Sequence, residues 1–190
     1  MKDRILGIAN ESIEVKQRFF ETSAESVAQA AQLMIDSLKA GGKILVFGNG
    51  GSAADAQHIA AELVNRLNRN HPPIPAIALT TDTSIITSIA NDSSFDELFE
   101  RQVLALGRPG DVALAISTSG NSPNVLRGVS AARIQGMKSV GLAGKDGGQL
   151  ARDADLTLTV RAGSTQRVQE THITIGHILC ELIEDALYPP

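Results

Sequence analysis

His58 and Glu62 stand four residues apart. On a helix that spacing puts an imidazole and a carboxylate on one face. Such a pair can hold a metal ion or move protons; the same spacing also serves a plain surface ion pair. Just upstream, the apolar run Lys43-Ile44-Leu45-Val46-Phe47 enters Gly48-Asn49-Gly50-Gly51-Ser52. A second apolar run, Val112-Ala113-Leu114-Ala115-Ile116, enters Ser117-Thr118-Ser119-Gly120-Asn121-Ser122. Glycine and serine let the backbone come close to a ligand, and a helix start after each turn offers unpaired N–H groups to an anion. Together the two turns point to a phosphorylated small molecule. The first is not a Walker loop, because no Gly-Lys-Ser/Thr follows, and Ala53 breaks the dinucleotide spacing.

In the second turn, Ser117, Thr118, Ser119 and Ser122 place four hydroxyls at one strand end, a nest suited to phosphate oxygens. Ser122 is equally placed to cap the next helix, with Pro123 at its first position. The turn holds no Lys or Arg, so an anion there is held by dipoles and hydroxyls. Near the C-terminus, Gln169, Glu170, His172 and His177 are set among Val168, Ile173, Ile175, Ile178, Leu179, Leu182 and Ile183. His177 lies beside that apolar stripe and fits either a core histidine or a ligand. Gln169 and His177 are eight residues apart, about 12 Å along a helix axis, which makes one ion awkward to share from one straight helix. Either the helix ends bend or the two residues serve sites built from different subunits.

These residues need a scaffold, and the pattern supplies one. Residues 4–21 show helix spacing, and Ser23 caps a second helix through Leu38 that Gly41-Gly42 stops. From there strands (43–47, 76–79, 112–116, 138–142, 155–160) alternate with helices (52–67, 83–91, 96–106, 123–135 and Thr165 to Leu187). The turn at 144–148 leads into a further short helix. Such alternation predicts a parallel sheet covered on both faces, with both Gly/Ser turns at the C-terminal strand ends, where open α/β sheets bind ligands. The chain reads as one domain over 1–190, a helical segment at 1–40 and an α/β core with its closing helix at 41–190.

The net charge of −4 argues against nucleic-acid binding by counterion release. The single cysteine, Cys180, precludes an intrachain disulfide and fits a reducing compartment. No apolar run has the length of a membrane span, and the charged start Met1-Lys2-Asp3-Arg4 does not read as a signal peptide. A cytoplasmic protein is expected, with neither nucleic acid nor membrane as partner.

The separated motifs, taken in order, resemble the sugar isomerase (SIS) domain family. They are Gly48-Asn49-Gly50-Gly51-Ser52 with Asp55, Ala56, His58 and Glu62; Asn91-Asp92; Ser117 to Ser122; and Arg167-Val168-Gln169-Glu170 with His172 and His177. The likeness spans nearly the whole chain. It implies a three-layer, flavodoxin-like α/β core and a homotetramer, with the N-terminal helices serving oligomerisation and the active sites at subunit interfaces. It implies one zinc ion per subunit, with His58, Glu62, Gln169 and His177 as metal-site residues. Asn49, Gly50, Gly51, Ser52, Asn91, Asp92, Ser117, Thr118, Ser119, Ser122 and Gln169 would line the sugar phosphate. The branch it resembles most converts sedoheptulose 7-phosphate to D-glycero-D-manno-heptose 7-phosphate, a heptose precursor for lipopolysaccharide. Glu62 is then the expected general base and His177 its partner in proton transfer. A second branch, a tetrameric adaptor for the replication initiator DnaA, resembles Ala76-Ile77-Ala78-Leu79 with Thr81-Asp82, and Cys180-Glu181-Leu182-Ile183. A protein that only binds has no chemical reason to gather His58, Glu62, Gln169 and His177, so the resemblance favours the enzyme.

Overall fold

The computed structural model describes residues 1–189. Helix α1 (Lys2–Lys39) leads into β1 (Ile44–Gly48), α2 (Gly51–Val64), β2 (Ala76–Ala78), α3 (Thr83–Asp92), a 3-10 turn (Phe95–Glu97) and α4 (Leu98–Leu106). Then follow β3 (Val112–Ser117), α5 (Pro123–Ile134), β4 (Lys138–Gly144), α6 (Leu150–Asp153), β5 (Leu156–Val160) and α7 (Thr165–Leu187). The five strands are all parallel, in the order β2-β1-β3-β4-β5. This is the flavodoxin-like order, and it agrees with the core that the resemblance implies.

Successive strand residues face opposite layers. Ile44, Val46, Val112, Leu114, Ile116, Val140 and Leu142 pack with α1, α2 and α7 through Met34, Ile59 and Leu179. Leu45, Phe47, Ala113, Ala115 and Ala143 face the other way, toward Phe99, Val103, Val125 and Val129 of α4 and α5. Burial on both faces explains why β1 and β3 read as unbroken apolar runs rather than as alternation. Among the described residues, no helix is long and apolar enough to cross a membrane.

Three local expectations are corrected. The N-terminal segment is one helix, not two; Ser23 lies inside it. Nothing there interrupts a helix, since no Pro occurs before residue 40 and the Thr22 hydroxyl donates back to the Arg18 carbonyl instead of opening a turn. The stop falls at Gly41, whose φ of +85° is a left-handed conformation that glycine accepts without strain. Helix α2 ends at Val64 rather than 67, because the N–H groups of Leu67, Asn68 and Arg69 donate to the Glu184 carboxylate instead of to helical carbonyls. Ser122 occupies the cap position of α5, with Pro123 after it, but makes no side-chain cap bond; its hydroxyl meets Ser117 Oγ at 3.0 Å.

His172 shows which histidine of α7 belongs to the core. It is fully buried against β4, with Nε2 3.0 Å from the Ala143 carbonyl oxygen and Nδ1 without a partner among the described residues. Burial lowers its pKa from 6.5 to about 4, although the Ala143 carbonyl works in the opposite direction. The unfolded chain therefore takes up a proton that the native state refuses. The stability tied to neutral His172 is complete above pH 6.5 and is lost as pH falls from there toward 4. The slope is at most about 1.4 kcal/mol per pH unit. Urea midpoints measured between pH 7 and pH 5 should fall for the natural protein, and less for His172→Gln. Equal slopes would remove His172 as the source.

Candidate active site

The sheet order places β1 and β3 side by side with their crossovers leaving in opposite directions, so a crevice opens at their C-terminal ends. Both Gly/Ser turns lie there: Gly48 pairs in register with Ile116, and Ser117 with Ala143. The first turn depends on Gly50, whose φ of +56° lets the chain reverse directly into α2. The second depends on Gly120, at φ +66°, where a side chain would strike the Gly147 backbone.

Across the crevice, Asn49 and Asn124 exchange amide hydrogen bonds at 2.8 and 2.9 Å. The Asn49 side chain thus ties the two turns together. Asn124, which no motif in the sequence singles out, is buried as the other half of that pair. Ser117, Ser119 and Ser122 are linked through Ser117 Oγ, at 3.4 Å to Ser119 and 3.0 Å to Ser122. Ser119 Oγ also accepts the Asn121 N–H at 3.1 Å. Ser52 and Ser117 are buried, whereas Thr118, Ser119 and Ser122 are half-buried.

Helices α2 and α7 bring the remaining candidates together. Successive contacts fall in the same order along both: Gly51 against Gln169, Ile59 against Gly176, His58 against His177, and Leu67 against Glu184. The two helices therefore lie parallel. The close approach rests on Gly176, where a Cβ would sit 2.8 Å from Ile59 Cδ1. On the outer face of that contact, His58 Nε2 stands 3.1 Å from His177 Nε2 and 3.0 Å from Glu62 Oε1. Ligand atoms of His58, Glu62 and His177 all lie within 4.8 Å of one another. A tetrahedral zinc site with bonds near 2.0–2.1 Å has ligand atoms about 3.3 Å apart, so the spacing and the N, N, O donor set both fit such an ion.

Gln169 stands at the other end of the α2–α7 contact. Its amide occupies the space that a side chain at Gly51 would need. Helix α7 is continuous from Thr165 to Leu187, so the two-turn separation from His177 persists. Asn91 and Asp92 hydrogen-bond to each other at 2.7 Å on the exposed end of α3, and none of their bonds reaches another candidate among the described residues. Asp55, one turn before His58, received no role from the sequence. Its Oδ2 is buried without a partner among the described residues, and burial raises its pKa while the nearby His58 charge opposes the rise.

The SIS domain family matches residues 9–144. The phosphoheptose isomerase of Aquifex aeolicus is 52% identical over 185 residues, covering 97% of each chain. Among solved structures, the phosphoheptose isomerase of Neisseria gonorrhoeae superposes with a TM-score of 0.91 at 46% identity, covering 97% of this chain and 98% of its own. That of Francisella tularensis gives 0.93 at 39% identity, covering 96% and 97%. The adaptor reading gains no support from these likenesses. With this sequence similarity over nearly its full length and the same fold, the chain belongs to the SIS domain family, among the phosphoheptose isomerases.

Proposed function

We propose that the chain converts sedoheptulose 7-phosphate to D-glycero-D-manno-heptose 7-phosphate in the cytoplasm, as a step toward the heptose of lipopolysaccharide. The observation that carries this reading is the gathering of His58, Glu62 and His177 on the α2–α7 face that begins at the first phosphate-type turn. An aldose–ketose isomerase must move one proton between C1 and C2 and another between the oxygens they bear. Glu62 is the proposed base. Its Oε1 faces His58, and its other oxygen takes the C1 proton to give the enediol and returns it to C2. His177 carries the proton between the C1 and C2 oxygens. His58, Glu62 and His177 are the proposed holders of one zinc ion per subunit. When bound, it supplies Lewis-acid polarisation of the substrate oxygens.

The phosphate is assigned to the second turn, where Ser119 Oγ accepts the Asn121 N–H and keeps its own O–H to donate. Thr118, Ser122 and Ser117 complete that cradle. The backbone of Asn49, Gly50, Gly51 and Ser52 lines the sugar, with Asn91 and Asp92 at the rim. Gln169 is assigned to the substrate beside Gly51; because the unbroken α7 keeps it two turns from His177, its metal role is assigned to a site completed by a second subunit. The chain is proposed to act as one domain within a homotetramer whose active sites lie at subunit interfaces. The amino-terminal half of α1 exposes Ile5, Leu6, Ile8 and Ile13, an apolar surface that such assembly would cover.

Purified protein stripped of metal by chelation should lose turnover of sedoheptulose 7-phosphate and regain it with added zinc. No conversion under any divalent metal by folded protein would overturn the isomerase reading. Glu62→Gln should lower kcat by about 100-fold or more, as removal of a general base does, while sugar phosphate still binds; an unchanged kcat removes Glu62 from the chemistry. Ser119→Ala should raise KM about tenfold, the loss of one charge-assisted hydrogen bond worth about 1.5 kcal/mol. An unaltered KM would leave Ser119 only its contacts within the turn, with Ser117 and Asn121.

A further inference from the structure

Glu184 takes no part in the chemistry above, yet it is a buried charge on the helix that carries His177. It lies seven residues beyond His177, two turns along α7 on the same side, and is 1% exposed. Its Oε2 accepts the N–H groups of Leu67 and Asn68 at 3.2 Å each. Its Oε1 accepts Arg69 N–H at 3.1 Å and Arg69 Nε–H at 3.0 Å. The His71 ring, itself buried, brings Nε2 to 3.4 Å from Oε2. Arg69 also reaches Asp185.

A carboxylate removed from water is costly unless donors surround it, and here they do. Burial works against the Glu184 charge, but the N–H groups of Asn68 and Leu67, the Arg69 guanidinium and the His71 charge outweigh it and lower the pKa. All of these donors belong to the segment that runs on directly from α2. The carboxylate therefore clamps the C-terminal end of α2 to α7. Between the helices, the contact around Ile59, Gly176 and Leu179 is apolar. Apolar burial is non-directional and does not by itself fix how far one helix slides along the other. Hydrogen bonds to a fixed carboxylate do.

We propose that Glu184 is a positioning residue for the site: it sets the axial register of α2 against α7, and so the spacing of His58 and Glu62 from His177. This rests on the reading of those three residues as a metal and proton-transfer centre. The test is Glu184→Gln, which keeps the shape, removes the charge and turns amide hydrogens toward backbone donors. Metal-free natural protein and variant are titrated with Co2+, followed by its visible absorption, and kcat and KM are measured where circular dichroism shows both folded. We expect cobalt affinity and kcat each to fall about tenfold, with KM changed less than about twofold, the size of effect that supporting and misplaced groups produce. A variant that loses thermal stability but keeps natural cobalt affinity and kcat overturns the proposal and leaves Glu184 a loop anchor. Should Glu184→Gln fail to fold, Arg69→Met removes one donor and keeps three. Its cobalt affinity should fall about threefold, a fraction of the full effect, and an unchanged affinity overturns the proposal. Cobalt binding without turnover in the natural protein would sink the isomerase reading while the titration still judges Glu184. Absence of cobalt binding would sink the metal reading, and the kcat comparison alone would then decide.

Discussion

Gly176 decides how near α7 comes to α2. A Cβ there would sit 2.8 Å from Ile59 Cδ1, so either the Ile59 side chain turns aside or the helices part. An interior packed at crystal density leaves little room for either. The histidine pair straddles this contact, so the 3.1 Å between His58 and His177 follows from it. The same separation brings Leu67 within reach of Glu184. Apolar contact and polar clamp thus act on the same helix pair: Gly176 admits the close approach, and on the proposed reading Glu184 sets the register within it.

The sheet imposes the second constraint. Because β1 and β3 are neighbours with diverging crossovers, their terminal turns face one crevice, and both must turn sharply without blocking it. Glycines at 50 and 120 make the turns possible. The Asn49–Asn124 pair then consumes the side-chain amides that would otherwise compete for a ligand. What remains in the two turns is backbone N–H and serine and threonine hydroxyl. Those groups suit an anion held by preorganised dipoles, with no formal positive charge in either turn.

Much of this was legible in the sequence because it is local. The apolar runs of β1 and β3, the glycine and serine turns after them, and the four-residue spacing of His58 and Glu62 each depend on neighbours in the chain. The convergence of His177 on that pair is not local; it depends on a helix more than a hundred residues away folding back parallel to α2. Three errors have the same origin. Ser122 has the right type and place for a cap, but Ser117 competes for its hydroxyl across the turn. The last turn expected of α2 is unwound by an acceptor on α7. Ser23 has the chemistry of a helix start, but nothing nearby ends the helix before it, and burial of Val15, Phe19, Val27 and Ala30 along one side holds the segment straight through. Glu184 and Asn124 were invisible for the complementary reason. A glutamate on an amphipathic helix and an asparagine after a proline both look solvated until the fold supplies their partners.

The geometry also bears on whether Glu62 can be both metal ligand and base. A carboxylate whose two oxygens both face a cation is a weak base, because removing its charge from the ion costs more than the proton returns. Glu62 is not held that way: Oε1 is directed at His58, and the side chain is only partly buried. One oxygen can therefore stay with the imidazoles while the other points toward a substrate lying along α2 from the Gly51 end. That division requires the carboxylate plane to be fixed by its helix neighbours rather than by the ion. His58, one turn earlier on the same helix, provides such a constraint through its 3.0 Å contact with Oε1. The same argument separates the two imidazoles. His58 shares a rigid helix face with Glu62 and is tied to it, whereas His177 reaches the cluster from another helix. On the proposed reading His177 is therefore the member that gives up the cluster for a substrate hydroxyl when it carries a proton, since one ring nitrogen cannot hold an ion and a proton at once.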